Sequence, residues 1–147
     1  MQKLRCILLV EDDPNDAELI IMTLEENQLA NEIVHVRDGK EALDYLKRQG
    51  PFCNKGEDPA MVILDLKLPK VSGLEVLEKI RNDETLKFMP VVIFTSSSEE
   101  QDIIDGYKLG TNGYVVKPLD FHQFVESVKR TGVFWGIVNE SPRKGTA

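Results

Sequence analysis

Three features predict an open α/β sheet with helices on both faces. Short apolar runs recur: Cys6-Ile7-Leu8-Leu9-Val10, Met61-Val62-Ile63-Leu64 and Val91-Val92-Ile93-Phe94. They lack the polar alternation of a half-exposed strand and fit strands buried on both faces, as in a parallel sheet. Stretches with helical spacing of apolar residues separate them. Each run also stops at polar residues, and a lone carboxylate, Asp65, closes the middle one before a loop containing Pro69 and Gly73. In such sheets ligands bind at the carboxyl ends of the strands.

The elements follow in chain order. The first strand, Cys6 to Val10, ends in Glu11-Asp12-Asp13-Pro14. A helix follows with Asn15 as the expected N-cap and Glu18 completing a capping box; Leu19, Ile20, Thr23 and Leu24 keep helical spacing. Strand two is read over Glu32 to Arg37, and helix two over Gly39 to Arg48 with Ala42, Leu43 and Leu46 inward. Gln49 to Ala60 is a polar loop. Strand three is Met61 to Leu64, and helix three runs from about Ser72 to Asn82 with Leu74, Leu77 and Ile80 on one face. Strand four ends at Thr95, and helix four spans about Glu99 to Leu109, where Gly110 stops it. Strand five is Tyr114 to Val116, ending at Lys117-Pro118. Helix five starts near Asp120, puts Phe121, Phe124, Val125 and Val128 on one face, and is allowed to continue to Phe134-Trp135. Five βα units in 147 residues are too few for an eight-fold barrel, which needs about 250 residues. The expected fold is therefore flavodoxin-like and doubly wound, with five parallel strands in the order 2-1-3-4-5.

The length suits one domain, expected over residues 1–135, with 136–147 as a tail too short for an output module. A formal net charge of −7 argues against a sequence-independent grip on nucleic acid or anionic lipid. No apolar run approaches the roughly 20 residues of a membrane span, and the N-terminus has no cleavable signal. The two cysteines, Cys6 and Cys53, form no disulfide framework. Reduced thiols in a cytoplasmic protein fit best.

The topology gathers Asp12 and Asp13, Asp65, Thr95 and Lys117 at one sheet edge. Alone, each residue has a plainer role: Asp13 as a helix cap before Pro14, Thr95 as a β-branched strand end, Lys117 as a solvated lysine. Those roles do not account for their convergence. Clustered carboxylates resist full ionisation. A hard divalent cation relieves this, and oxygen ligands with room for phosphate favour Mg²⁺. Asp65 is then the nucleophile that forms an acyl phosphate, and Lys117 and Thr95 stabilise the phosphoryl oxygens.

With these motifs in place, the chain closely resembles the receiver domain of two-component response regulators over about residues 4–131. The motifs are Glu11-Asp12-Asp13, Asp65 with Pro69 and Gly73, Thr95-Ser96, and Tyr114-Val115-Val116-Lys117-Pro118. The resemblance implies that a sensor histidine kinase charges Asp65. It implies Mg²⁺ held by Asp13, Asp65 and the backbone carbonyl of Lys67, with Asp12 acting through water. It implies a cis bond before Pro118. It also implies a switch in which Thr95 and Tyr114 move and alter the face made by helix four, strand five and helix five. Lys67 and Ser97 occupy positions that tune dephosphorylation in the family, and Leu68 stands where methionine is frequent. Such a protein is a phosphoacceptor, not an enzyme with a separate substrate.

Gln49-Gly50-Pro51-Phe52, Leu66 to Lys70, Ile80 to Pro90 and Phe134-Trp135 are similar to small single-domain regulators that serve cyanobacterial and bacterial phytochromes. That resemblance implies a phytochrome-type kinase and a homodimer through the helix four, strand five, helix five face. Phe134 and Trp135 either extend that interface or fold back onto their own core. Beyond the dimer, an unidentified protein is expected as target. His35 and His122 lack metal partners at ligand spacing and read as structural or surface residues. Three rival functions are weighed. A haloacid-dehalogenase-type phosphatase needs a second acid where Lys67 stands. A nucleotide or flavin module needs glycines where Glu11-Asp12-Asp13 stands. A phosphorylation-independent interaction module needs no intact pocket at all.

Overall fold

The computed structural model describes residues 6–53, 56 and 58–140. Its sheet contains five strands: β1 (Cys6–Val10), β2 (Glu32–Val36), β3 (Met61–Leu64), β4 (Val91–Thr95) and β5 (Gly113–Val116). All pair in parallel, in the order β2-β1-β3-β4-β5. The connecting helices are α1 (Pro14–Glu26), α2 (Gly39–Leu46), α3 (Gly73–Arg81), α4 (Glu100–Lys108) and α5 (Phe121–Thr131). The winding direction reverses between β1 and β3, so a crevice opens beyond their carboxyl ends.

Strand alternation divides the core into two layers. Leu8, Val10, Val62, Leu64, Val91 and Ile93 point to one face, where Ala42 and Leu46 of α2 and Val76, Leu77 and Ile80 of α3 cover them. Ile7, Leu9, Met61, Ile63, Val92 and Phe94 point to the other, under Ala17, Ile20 and Leu24 of α1 and Phe124 and Val128 of α5. Of the nine residues of α4, Gly106 alone is buried, so this helix is held by far less apolar surface than the others.

Helix starts follow capping chemistry. Asp38 caps α2, Ser72 caps α3 and Asp120 caps α5, each accepting an N–H from the first turn. The expected Asn15 cap is corrected. Asp13 is the N-cap of α1, accepting from the N–H groups of Asn15 and Asp16. Pro14 sits at the first helical position, where its missing N–H costs nothing and its fixed φ favours the turn. Gly110 at φ +97° ends the turn after α4 in the left-handed region.

Three other expectations change. Among the described residues no peptide bond is cis, so the bond before Pro118 is trans, the form X-Pro bonds favour by about 0.5–1 kcal/mol. Phe121 is 65% exposed: it opens the first turn of α5, beyond the end of β5, where no strand lies beneath it. The chain does not become a tail at residue 136. α5 passes into a π-helical segment, Gly132–Val138, closed by the Asn139 N–H donating to the Phe134 carbonyl at 2.6 Å. Trp135 and Ile137 pack on the α1/α5 core while Phe134 faces outward. This fold-back answers one of the two alternatives for Trp135. The rest of the expected tail, 141–147, and the Met1–Arg5 start lie outside the described residues, as does part of the Gln49–Ala60 loop. No helix among the described residues is long and apolar enough to cross a membrane.

Candidate functional site

The same alternation that sorts the core aims the polar residues just past each strand. Val10 pairs with Leu64 and Leu64 with Ile93 in register. The next residues, Glu11 and Asp65, therefore turn toward the α1/α5 side, and so does Lys117 after β5. Thr95 and Tyr114 fall on the opposite side. Backbone bonds hold the three strand ends: Glu11 N–H to the Val36 carbonyl at 3.1 Å, Asp65 N–H to Val10 at 3.1 Å and Lys117 N–H to Thr95 at 2.7 Å.

Lys117 is the centre of the cluster. Its side chain is 8% exposed, and its ammonium lies 2.8 Å from Glu11 Oε1, 2.9 Å from Asp16 Oδ2 and 3.0 Å from Asp65 Oδ2. Asp65 itself is buried. Its Oδ1 accepts weakly from the Lys67 N–H at 3.4 Å, and the nearby Thr95 hydroxyl favours its charged form. Close approach behind it requires glycine: a Cβ on Gly73 would lie 2.2 Å from the Asp65 carbonyl oxygen.

Electrostatics follows from one cation among three acids. Burial pushes the Glu11 carboxyl up to about 7 against the pull of Lys117, and the Asp65 charge pushes the same way. Burial would also raise Asp65, but hydrogen bonds from Thr95 and Lys117 outweigh it and hold this carboxyl below the usual range. Burial disfavours the Lys117 ammonium, yet Glu11, Asp16 and Asp65 together keep it protonated above the ordinary lysine range. The nucleophile candidate is thus ionised, the lysine charged, and Glu11 poised between forms.

On the other side, Ser97 links several elements. Its N–H points at Thr95 Oγ1 at 3.4 Å, its hydroxyl donates to Asp102 Oδ2 of α4 at 2.6 Å, and its carbonyl accepts from the Tyr114 hydroxyl at 2.9 Å. The Ser97 side chain is thereby committed to α4.

Asp65, Thr95 and Lys117 stand together as expected, and Tyr114 reaches the Thr95 loop. Asp12 is exposed at the mouth. Asp13 is engaged elsewhere, with its Oδ1 capping α1 at 2.9 and 3.1 Å. Two members were missed. Glu11 takes the buried position that the sequence reading gave to its neighbours, and strand alternation continued one residue past Val10 would have found it. Asp16 joins from α1; only the tertiary contact of its carboxylate with Lys117, on the face that α1 shares with α5, reveals it. His35 Nε2 bonds the Glu11 carbonyl at 2.8 Å, which fits its structural reading, and the exposed His122 meets Phe121 edge-on.

Among the described residues, no three His, Cys, Asp or Glu side chains already form a metal cage. The donor chemistry nonetheless fits a hard cation. It consists of oxygens, and the buried Glu11 carboxyl lacks enough positive charge nearby to stay fully ionised.

The response regulator receiver domain family matches residues 7–129. The chain is 41% identical to the probable methanogenesis regulatory protein FilR2 of Methanothrix harundinacea over 137 residues, 92% of this chain and 86% of that protein. It is 37% identical to response regulator Rcp1 of Synechocystis over 89% of this chain and 88% of that protein. The Mn²⁺-bound form of Rcp1 superposes with a TM-score of 0.88 at 35% identity, covering 95% and 99% of the two chains. The phosphorylated cyanobacterial phytochrome response regulator RcpA gives 0.90 at 39% identity, covering 96% and 100%.

Proposed function

This chain belongs to the response regulator receiver domain family, and on that premise we propose that Asp65 receives a phosphoryl group from a phosphohistidine of a sensor histidine kinase. The observation that carries the reading is the Lys117 ammonium at 3.0 Å from the buried Asp65 carboxylate, whose ionised form Lys117 and the Thr95 hydroxyl favour.

In the transfer an Asp65 oxygen attacks phosphorus, the P–N bond breaks, and its electron pair stays on the imidazole. Lys117 redirects an N–H to a phosphoryl oxygen, and the Thr95 hydroxyl follows the same charge. A divalent cation, Mg²⁺ in this reading, supplies when bound the charge neutralisation that a dianionic group needs among these acids. Asp12, Asp65 and the Lys67 carbonyl would hold it, with Glu11 acting through water. Asp13, expected as a ligand, stays in its cap. Lys67 remains the candidate for tuning hydrolysis.

The signal leaves through α4, β5 and α5. Thr95, Ser97 and Tyr114 form a short path from Asp65 to α4, a helix with little apolar anchorage. A homodimer through this face is supported by the exposed Ile104, Tyr107, Val116 and Phe121. Phe134, outward and 49% exposed, can extend such an interface; Trp135, packed inward, contributes less. The likeness to RcpA supports a phytochrome-type kinase as donor, and a cytoplasmic location agrees with a chain that has two cysteines and no disulfide framework. The chain acts as a phosphoacceptor with self-catalysed transfer and hydrolysis, not as an enzyme with a separate substrate.

Acetyl phosphate or phosphoramidate with Mg²⁺, followed by intact-mass spectrometry, tests the central claim. One adduct of about 80 Da, lost with chelator and absent in Asp65→Asn, is the expected result for an aspartyl nucleophile. No adduct from any donor would overturn it and favour a phosphorylation-independent binding module.

A further inference from the structure

The resting site commits Lys117 completely. An ammonium has three N–H bonds, and Glu11, Asp16 and Asp65 lie within hydrogen-bond distance of it at 2.8, 2.9 and 3.0 Å. A phosphoryl oxygen can therefore be served only by exchange. The three partners differ in what release costs. Asp65 is the group being charged. The Glu11 side chain is 2% exposed, so letting go of it strands a buried carboxylate. The Asp16 side chain is 31% exposed and stands at the rim, where water can replace Lys117.

Asp16 is also held firmly. It occupies the third position of α1, its N–H donates to Asp13 Oδ1 at 3.1 Å, and the next N–H, of Ala17, bonds the Asp13 carbonyl at 2.9 Å. A carboxylate there suits the helix dipole, but the dipole alone does not require it to meet a lysine 101 residues away in sequence.

We propose that Asp16 is a positioning residue for the transfer: it holds one N–H of Lys117 in the resting site and yields it to a phosphoryl oxygen when Asp65 is charged. The inference rests on the phosphoacceptor reading of Asp65. With acetyl phosphate as donor, an Asp65 oxygen bonds phosphorus, the P–O bond to acetate breaks, and acetate leaves with the electron pair. No proton moves, and the site gains one negative charge. Asp16 competes with that charge for Lys117, so it sets how readily the site accepts the group.

The test measures phosphorylation rates by intact mass with acetyl phosphate and Mg²⁺. Asp16→Asn keeps the shape and removes the competing charge; its rate should rise about threefold to tenfold, the net worth of an ordinary hydrogen bond, because the Asp16 side chain is 31% exposed and water screens its charge. Asp16→Ser should shift the same way, which covers any folding defect peculiar to the amide. Asp16→Glu, which restores the competitor, should stay within about twofold of the parent protein, as should Glu18→Gln, which makes the same charge change on the exposed face of α1. An unchanged or slower rate in both Asp16→Asn and Asp16→Ser overturns the proposal. An equal gain in Glu18→Gln also overturns it, since that marks a general charge effect. If the parent protein takes no phosphoryl group, the reading of Asp65 falls as well; an adduct without an Asp16 effect removes this inference alone.

Discussion

Replacing Arg81 with methionine should destabilise the fold by about 3 kcal/mol while leaving the site at the far end of the sheet chemically intact. Arg81, the last residue of α3, donates to the Gly110 carbonyl at 2.8 Å, the Met89 carbonyl at 2.7 Å, the Lys87 carbonyl at 3.2 Å and Asn112 Oδ1 at 2.8 Å. Asn112 Oδ1 also accepts the Val91 N–H at 2.8 Å. One guanidinium thus ties α3, the entry to β4 and the turn before β5. Each hydrogen bond from a charged donor contributes about 1.5–3 kcal/mol net. Four such bonds do not add fully, because they share one side chain. Arg81 is also only half-buried, so water can reach some of the freed carbonyls, and the burial that lowers its pKa offsets part of the gain. About 3 kcal/mol remains, and methionine keeps much of the stem packing. With a urea slope of about 1–3 kcal/mol/M, the midpoint should fall by about 1–3 M at unchanged slope. Arg81→Lys should recover part of this, because an ammonium cannot reproduce the planar fork. Equilibrium urea unfolding followed by circular dichroism is the assay, with Asp65 phosphorylation by intact mass as the control. A loss under about 1 kcal/mol in Arg81→Met would refute the view that this fork anchors the amino-terminal edge of β4.

Three further outcomes follow from the geometry. Gly73→Ala places a methyl 2.2 Å from the Asp65 carbonyl oxygen, where backbone must yield; thermal unfolding should show a loss of at least about 2 kcal/mol, with slower Asp65 phosphorylation. Tyr114→Phe deletes the bond to the Ser97 carbonyl, so stability should fall by only about 1 kcal/mol with phosphorylation retained, while amide exchange in α4 should rise. Glu11 is pushed up to about 7 from an ordinary value near 4.5, so the folded state binds more protons between those values and stability falls as pH rises through that window. In chelator, Glu11→Gln should flatten the fall by about 2 kcal/mol, read by urea unfolding at pH 5 and pH 8; equal slopes in both proteins would contradict the assignment.

Much of this molecule was legible in its sequence. Unbroken apolar runs at β1, β3 and β4 required helices on both faces. Alternation of strands with helical periods required parallel pairing, and a five-strand sheet of this kind led to the observed order. The ends of those runs then delivered Asp65, Thr95 and Lys117 to one edge. These features depend on local periodicity, which survives in a linear string because backbone geometry repeats every two or about 3.6 residues.

Tertiary structure decided what periodicity cannot reach. The loop after β1 determines that Asp13, and not Asn15, caps α1 while Asp12 stays exposed; Asn and Asp are equally good capping residues, so composition could not choose. Asp16 meets Lys117, and Arg81 meets Gly110 and Asn112, because packed layers bring together groups far apart in the chain. Trp135 turns to the core and Phe134 to solvent in the π-helical turn after α5, because the α1/α5 layer continues along only one side of that turn. The sequence by itself determined which chemistry stands at the sheet edge. The packing of α1 beside α5 on one face of the sheet decided how that chemistry is balanced: one buried ammonium can serve three acids only when helix and strand ends are fixed to within a hydrogen bond of each other.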